Sequence, residues 1–158
     1  MRNKDAFINL MYLGALPFIA GALLSLLSID TLSWLGSVVH IVSVYALVIS
    51  VFMAGILWGV TLQLQEKNAD SQINFLVSNI LTLTVWFVYL IYPDSIAFLL
   101  ITAVIFLWLL ILDTKLIQRQ HISKSYYQAR KWVSTIVILS LLVIAASEYL
   151  DSSKLTFV

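Results

Sequence analysis

The residues able to do chemistry are few and far apart. His40 and His121 are the only histidines, and there is no cysteine. Without a thiol, disulfides, thiolate zinc sites, iron–sulfur clusters and cysteine nucleophiles are excluded. The two histidines fall on opposite sides of the topology derived below, so one copy of the chain cannot bring both to a single metal or haem, and no metal or cofactor is expected. Serine hydroxyls occur in several apolar runs, but none has a histidine or carboxylate at a spacing that would supply a base. No catalytic residue is assigned, and the expected role is non-enzymatic. Proton relays and ion-coupled pumps place a titratable side chain deep in the membrane, where it can serve both faces in turn. Here the nearest one is Glu148, at the outer end of the last apolar run, which counts against active transport.

The elements that must position these residues are hydrophobic helices. Of 158 residues, 61% are hydrophobic and 11% charged, against about 25% charged in a soluble globular domain. A hydrocarbon core of about 30 Å takes about 20 helical residues to cross. Five runs of that size fit, at about residues 6–27, 38–62, 73–91, 96–112 and 132–150, leaving little chain for a soluble domain. The expectation is one all-α transmembrane domain of five helices. The first run exceeds the roughly 7–15 residues of a secretory signal core and lacks a small-x-small cleavage site, so it reads as a retained span. Residues 29–37, with Asp30 and Gly36, form a polar turn, and residues 63–72 a wet loop. Pro93 ends the third span and disfavours helix at Tyr92, while Asp94 or Ser95 is placed to cap the fourth, giving a tight hairpin.

Orientation follows from the cations. With loops assigned alternately to two sides, Arg2, Lys4, Lys67, Lys115, Arg119, Lys124, Arg130 and Lys131 share one side, and only Lys154 lies on the other. Cytoplasmic loops carry such an excess, so the N-terminus is placed inside and the C-terminus outside. A missed or invented span would scramble this segregation, which supports the count of five. The implied location is a bacterial inner membrane, or the mitochondrial inner membrane in a eukaryote. An odd number of spans and the absence of a 20–50-residue repeat argue against an inverted-repeat transporter.

Four sequence features bear on what the helices do. Gly55 and Gly59 make a GxxxG, extended by Ala46, Ser50 and Ala54, a small-residue stripe that allows close helix packing inside the bundle or in a dimer. Pro17, between Gly14 and Gly21, frees the carbonyl of Leu13. That predicts a kink satisfied by a neighbouring helix, with a broken-helix substrate site as the alternative. In the third span Asn74, Ser78, Thr82 and Trp86 recur every four residues with Asn79 beside them. This polar face reads as interhelical hydrogen bonding or, alternatively, as a polar lumen for a small neutral solute. Finally, Lys115, Arg119, Lys124, Arg130 and Lys131 are interleaved with Leu116, Ile117, Ile122, Tyr126 and Tyr127 in a stop-transfer loop. Such a segment can also lie on anionic lipid or dock a partner.

Three stretches carry a resemblance: Tyr12-Leu-Gly-Ala-Leu-Pro-Phe18, Phe52-Met-Ala-Gly-Ile-Leu-Trp-Gly59, and Tyr126-Tyr127 with Arg130. The chain resembles a family of five-span inner-membrane proteins with a domain of unknown function, whose animal members are called transmembrane protein sixty-nine. The resemblance implies topology and location and assigns no mechanism. One departure is Leu57, where the family pattern often has histidine before the Trp-Gly pair, so any ligand or proton-transfer role of that histidine is missing here. The resulting expectation is an accessory, assembly or scaffolding subunit, with a passive carrier of a small solute as the alternative. The bilayer, other membrane proteins or a second copy of the chain are the candidate partners, and nucleic acid is not.

Overall fold

The computed structural model describes residues 2–63, 69–118 and 122–155. In chain order the elements are α1 (Arg2–Leu13), α2 (Leu16–Leu26), strands β1 (Thr31–Leu32) and β2 (Gly36–Ser37), α3 (Val38–Gln63), α4 (Ala69–Ile91), α5 (Ile96–Gln118) and α6 (Lys124–Leu155). Among the described residues, five helical segments are long and apolar enough to cross a membrane: Ile8–Leu26, Val38–Leu62, Gln72–Ile91, Ile96–Leu116 and Lys124–Ser153. The chain is an all-α, multi-pass membrane protein.

The first span is broken at Gly14 and Ala15, just before Pro17 rather than at it. Pro17 occupies the first turn of α2, where a missing N–H leaves no helical bond unmade. The Phe18 N–H bonds the Ala15 carbonyl at 3.1 Å, which leaves the Gly14 carbonyl to accept a 2.9 Å hydrogen bond from the Tyr45 hydroxyl of α3. The sequence pointed to the Leu13 carbonyl as the one set free; the one recaptured by another helix is that of Gly14.

The α2–α3 connection carries a small ribbon and the α4–α5 connection is a capped turn. Residues 29–37 contain a small antiparallel ribbon pairing Thr31 with Ser37 and Leu32 with Gly36, and Gly36 takes the positive φ (85°) that its turn requires. Between α4 and α5, Ser95 is the cap: its Oγ accepts the Phe98 N–H at 3.1 Å and donates to the Tyr92 carbonyl at 2.9 Å. Asp94 is thereby free for another partner, and its Oδ2 lies 2.8 Å from His40 Nδ1, tying the start of α3 to the α4–α5 turn.

At the opposite end of the bundle the polar segment 113–131 is not one loop. Its first residues extend α5 to Gln118 and its last residues begin α6 at Lys124. Ser123 caps α6, accepting the Tyr126 N–H at 3.2 Å. The fifth helix therefore starts well before Trp132, the span boundary expected from hydropathy. Cations in this first stretch lowered the apparent apolarity, yet a capped helix carries them without difficulty.

The interior is aromatic and aliphatic. Phe18, Phe98, Phe106, Leu99, Leu141 and Ile144 are fully enclosed, with Phe18 edge-on to Phe106 at 6.0 Å and Tyr89 to Phe98 at 5.2 Å. In lipid, such packing and close backbone approach hold helices together, because hydrocarbon tails are as apolar as the side chains. The tightest approach is at Gly21 of α2, where a Cβ would overlap a methyl of Val42 and touch Ile144. The helices are unequally covered: only 11% of the Gln72–Ile91 span is buried, against 28–44% of the other four.

Candidate functional site at the basic end of the bundle

Asp113, in the last turns of α5, and Arg130, in the second turn of α6, face each other inside the bundle. Arg130 Nε donates to Asp113 Oδ2 at 2.7 Å, and the two side chains are 4% and 8% exposed. Arg130 Nη1 is directed onto the Met53 sulfur of α3, so one guanidinium joins three helices. Next to it, the Tyr127 and Thr114 hydroxyls are hydrogen-bonded at 2.9 Å across the same α5–α6 turn, and Thr114 donates to the Leu110 carbonyl. A charge in a poorly hydrated interior is tolerated when it is paired and hydrogen-bonded. The arrangement is a neutral staple. Its guanidinium is already compensated, so it is poorly placed to bind a substrate anion.

The sequence-derived residues divide into three groups. Among the basic residues, Lys115, Lys124 and Lys131 are exposed, Arg130 is turned inward, and Arg119 lies outside the described residues. Arg130 therefore departs from the reading of this segment as a wholly lipid- or partner-facing loop: a helix begins at Lys124, and the seventh residue of that helix falls on its inner face. Glu148 is accordingly not the titratable residue nearest a span interior, since Asp113 and Arg130 both lie within candidate spans, near their basic ends.

The small-residue stripe also splits. Ala46, Ser50 and Ala54 are buried in the bundle, whereas Gly55 and Gly59 face outward with open space where a Cβ would project. Packing inside one bundle therefore involves the first three and not the GxxxG itself. Leu57 is buried and apolar, on the inward side of the same helix.

The polar face of α4 splits as well. Ser78 is buried and donates to the Ala54 carbonyl of α3 at 2.6 Å, and Asn74 and Thr82 are half-buried. Asn79 is exposed. Its Nδ2 donates to the Phe75 carbonyl one turn back at 3.0 Å, and among the described residues its amide oxygen has no partner. Asn79 and Pro17 are thus not brought together around a lumen. Ser43, Ser50, Thr102 and Ser134 have buried hydroxyls with no hydrogen-bond partner among the described residues. His40 is engaged by Asp94 at the far end, and His121 lies outside the described residues. Among the described residues no three metal-ligating side chains gather.

What sequence reasoning missed is the partnership of Asp113 with Arg130. The available signal was their position on either side of a short turn, 17 residues apart, with each falling where an antiparallel helix pair turns its inner face.

A family model described as a protein of unknown function, DUF3429, matches residues 4–146. The chain belongs to the DUF3429 family. The match contains all three stretches that carried the resemblance in the sequence, and two of them meet at the staple, through Met53 and Arg130. No curated protein and no solved structure matches the chain.

Proposed function

We propose that this DUF3429 protein is a non-enzymatic accessory or assembly subunit of an inner membrane, oriented N-in and C-out, that holds a helix of another membrane protein against the outer face of α3 and α4. The observation that carries this reading is Asn79. It lies seven residues into the Gln72–Ile91 span, about 10 Å from that end at 1.5 Å per residue, and its amide is turned toward lipid with an unfilled acceptor. An unpaired amide in hydrocarbon is unfavourable, and a hydrogen bond to a neighbouring helix relieves it, contributing about 0.6 kcal/mol on average.

The glycines support the same face. The Ser78–Ala54 hydrogen bond and the Trp58–Phe75 ring contact at 4.9 Å fix the register of antiparallel α3 and α4. Gly55 and Asn79 each follow a contact residue by one, a rotation of about 100°. In an antiparallel pair those rotations lead to the same flank at nearly the same depth. A partner helix crossing there meets bare backbone on α3 and an amide on α4, the combination by which membrane helices associate. The thinly covered α4 accords with this role.

The carrier alternative draws on the enclosed hydroxyls of Ser43, Ser50, Thr102 and Ser134. It has less support, because Asn79 points away from the interior and the helix break at Gly14 is closed by Tyr45. The test is a photo-crosslinking amino acid placed at Leu83 on the exposed side of α4, in native membranes. The expected result is a discrete protein adduct that fades with Asn79→Leu and is not formed from Leu139 on α6. Equal adducts from both positions, or none from Leu83, would remove this face as a docking surface.

A further inference from the structure

One face of α6 changes character in the order a lipid does. Lys124, Gln128, Lys131 and Trp132 are exposed on its first three turns, and Leu139 and Leu142 are exposed farther along. The steps from 124 to 128, 132, 135, 139 and 142 are all three or four residues, so these positions form one continuous stripe of a helix. At the head of that stripe Lys124, Tyr127, Gln128, Lys131 and Trp132 line a half-open surface patch of about 490 Å³.

Neither lysine is compensated among the described residues. Arg130, between them in sequence, is turned inward to Asp113, while neither Lys124 nor Lys131 has an acidic partner among the described residues. Helical side chains lean toward the N-terminus of their helix. The Lys131 ammonium is therefore carried back toward the Gln128 level, away from hydrocarbon, into the patch that Lys124 also lines. Trp132 follows by one residue, and tryptophan is enriched where headgroups meet hydrocarbon.

We propose that this patch binds the headgroup phosphate of one anionic phospholipid, held between Lys124 and Lys131, with its acyl chains lying along the Trp132–Leu139–Leu142 face of α6. A free phosphate would engage the same two ammonium groups. The exposed apolar stripe continuing directly beneath them favours a ligand with tails. The site is independent of the α3–α4 surface and stands or falls separately from it.

The experiment is native mass spectrometry of the full chain released from mixed micelles containing equal phosphatidylglycerol and phosphatidylcholine. The wild type is expected to retain phosphatidylglycerol preferentially. Each lysine contributes about 1 kcal/mol to anionic-lipid attraction, so Lys124→Gln or Lys131→Gln should cut that preference about fivefold and the double variant about thirtyfold. Lys124→Arg with Lys131→Arg should keep most of it. Lys115→Gln, which removes an exposed cation at the same end of α5 but outside the patch, should leave it unchanged, and excess inorganic phosphate should not displace the lipid. Equal retention of both lipids by the wild type would overturn the site. So would a loss in Lys115→Gln matching the double variant, which marks general surface charge, or displacement by inorganic phosphate, which marks a soluble-anion site.

Discussion

Asp113 and Arg130 are joined at 2.7 Å across the α5–α6 turn, with both side chains almost fully enclosed. That geometry has an asymmetric consequence. The pair together is close to neutral in its effect on stability, whereas either member alone is a buried, uncompensated charge. Arg130→Met is therefore expected to lower the stability of the bundle by about 3–5 kcal/mol, and Asp113→Leu combined with Arg130→Met to recover most of that loss. Reversible unfolding in mixed micelles measures both. A single variant as stable as the wild type would show that the contact is not holding α5 to α6.

Gly21 and Gly55 provide a paired test of inner and outer helix faces. An alanine methyl at Gly21 overlaps Val42 and reaches Ile144, and overpacking of this kind costs about 1–3 kcal/mol. At Gly55 nothing lies within 4 Å of the added methyl, and alanine is the better helix former by about 1 kcal/mol. Gly21→Ala should therefore destabilise the isolated protein while Gly55→Ala leaves it unchanged or slightly more stable. The order of the two unfolding midpoints is the readout, and the reverse order would mean that α2 does not pack on α3 as described.

These two comparisons also indicate what the sequence could and could not reveal. The spans were legible because hydrocarbon-length apolar runs are a one-dimensional signal, and the Tyr92–Ser95 turn was legible because proline and a capping serine act locally. The inner and outer faces of α3 were not, because the membrane removes the cue that separates them in a soluble helix. Phe52 toward lipid and Leu57 toward the core are equally apolar. The same loss of contrast left Gly55 and Gly59 open to bundle packing or to a dimer, while Gly21 made the close approach. The staple was hidden for another reason: Arg130 lies in a run of cations that, as a group, mark a water-facing end, and only the helical phase set by the start of α6 at Lys124 separates it from Lys124 and Lys131.

Membrane orientation gives the last prediction. Eight of the nine lysines and arginines fall on one side when the five spans alternate, and cytoplasmic loops carry this excess because cations near span ends resist translocation. The α5–α6 turn belongs to the cationic side and the α4–α5 turn to the other. A periplasm-active reporter fused after Val158, or inserted at Pro93, should be active, and one inserted near Ser123 should be silent. The burial of Arg130 does not weaken the expectation, since topology is set during insertion by charges near the span ends, before α5 and α6 pack. Neutralising Lys124 and Lys131 together should therefore reduce the bias without abolishing it, because Lys115 and Arg119 remain between the fourth and fifth spans. Activity near Ser123 together with silence at Val158 would invert the arrangement and move the lipid-facing lysines of α6 to the outer leaflet.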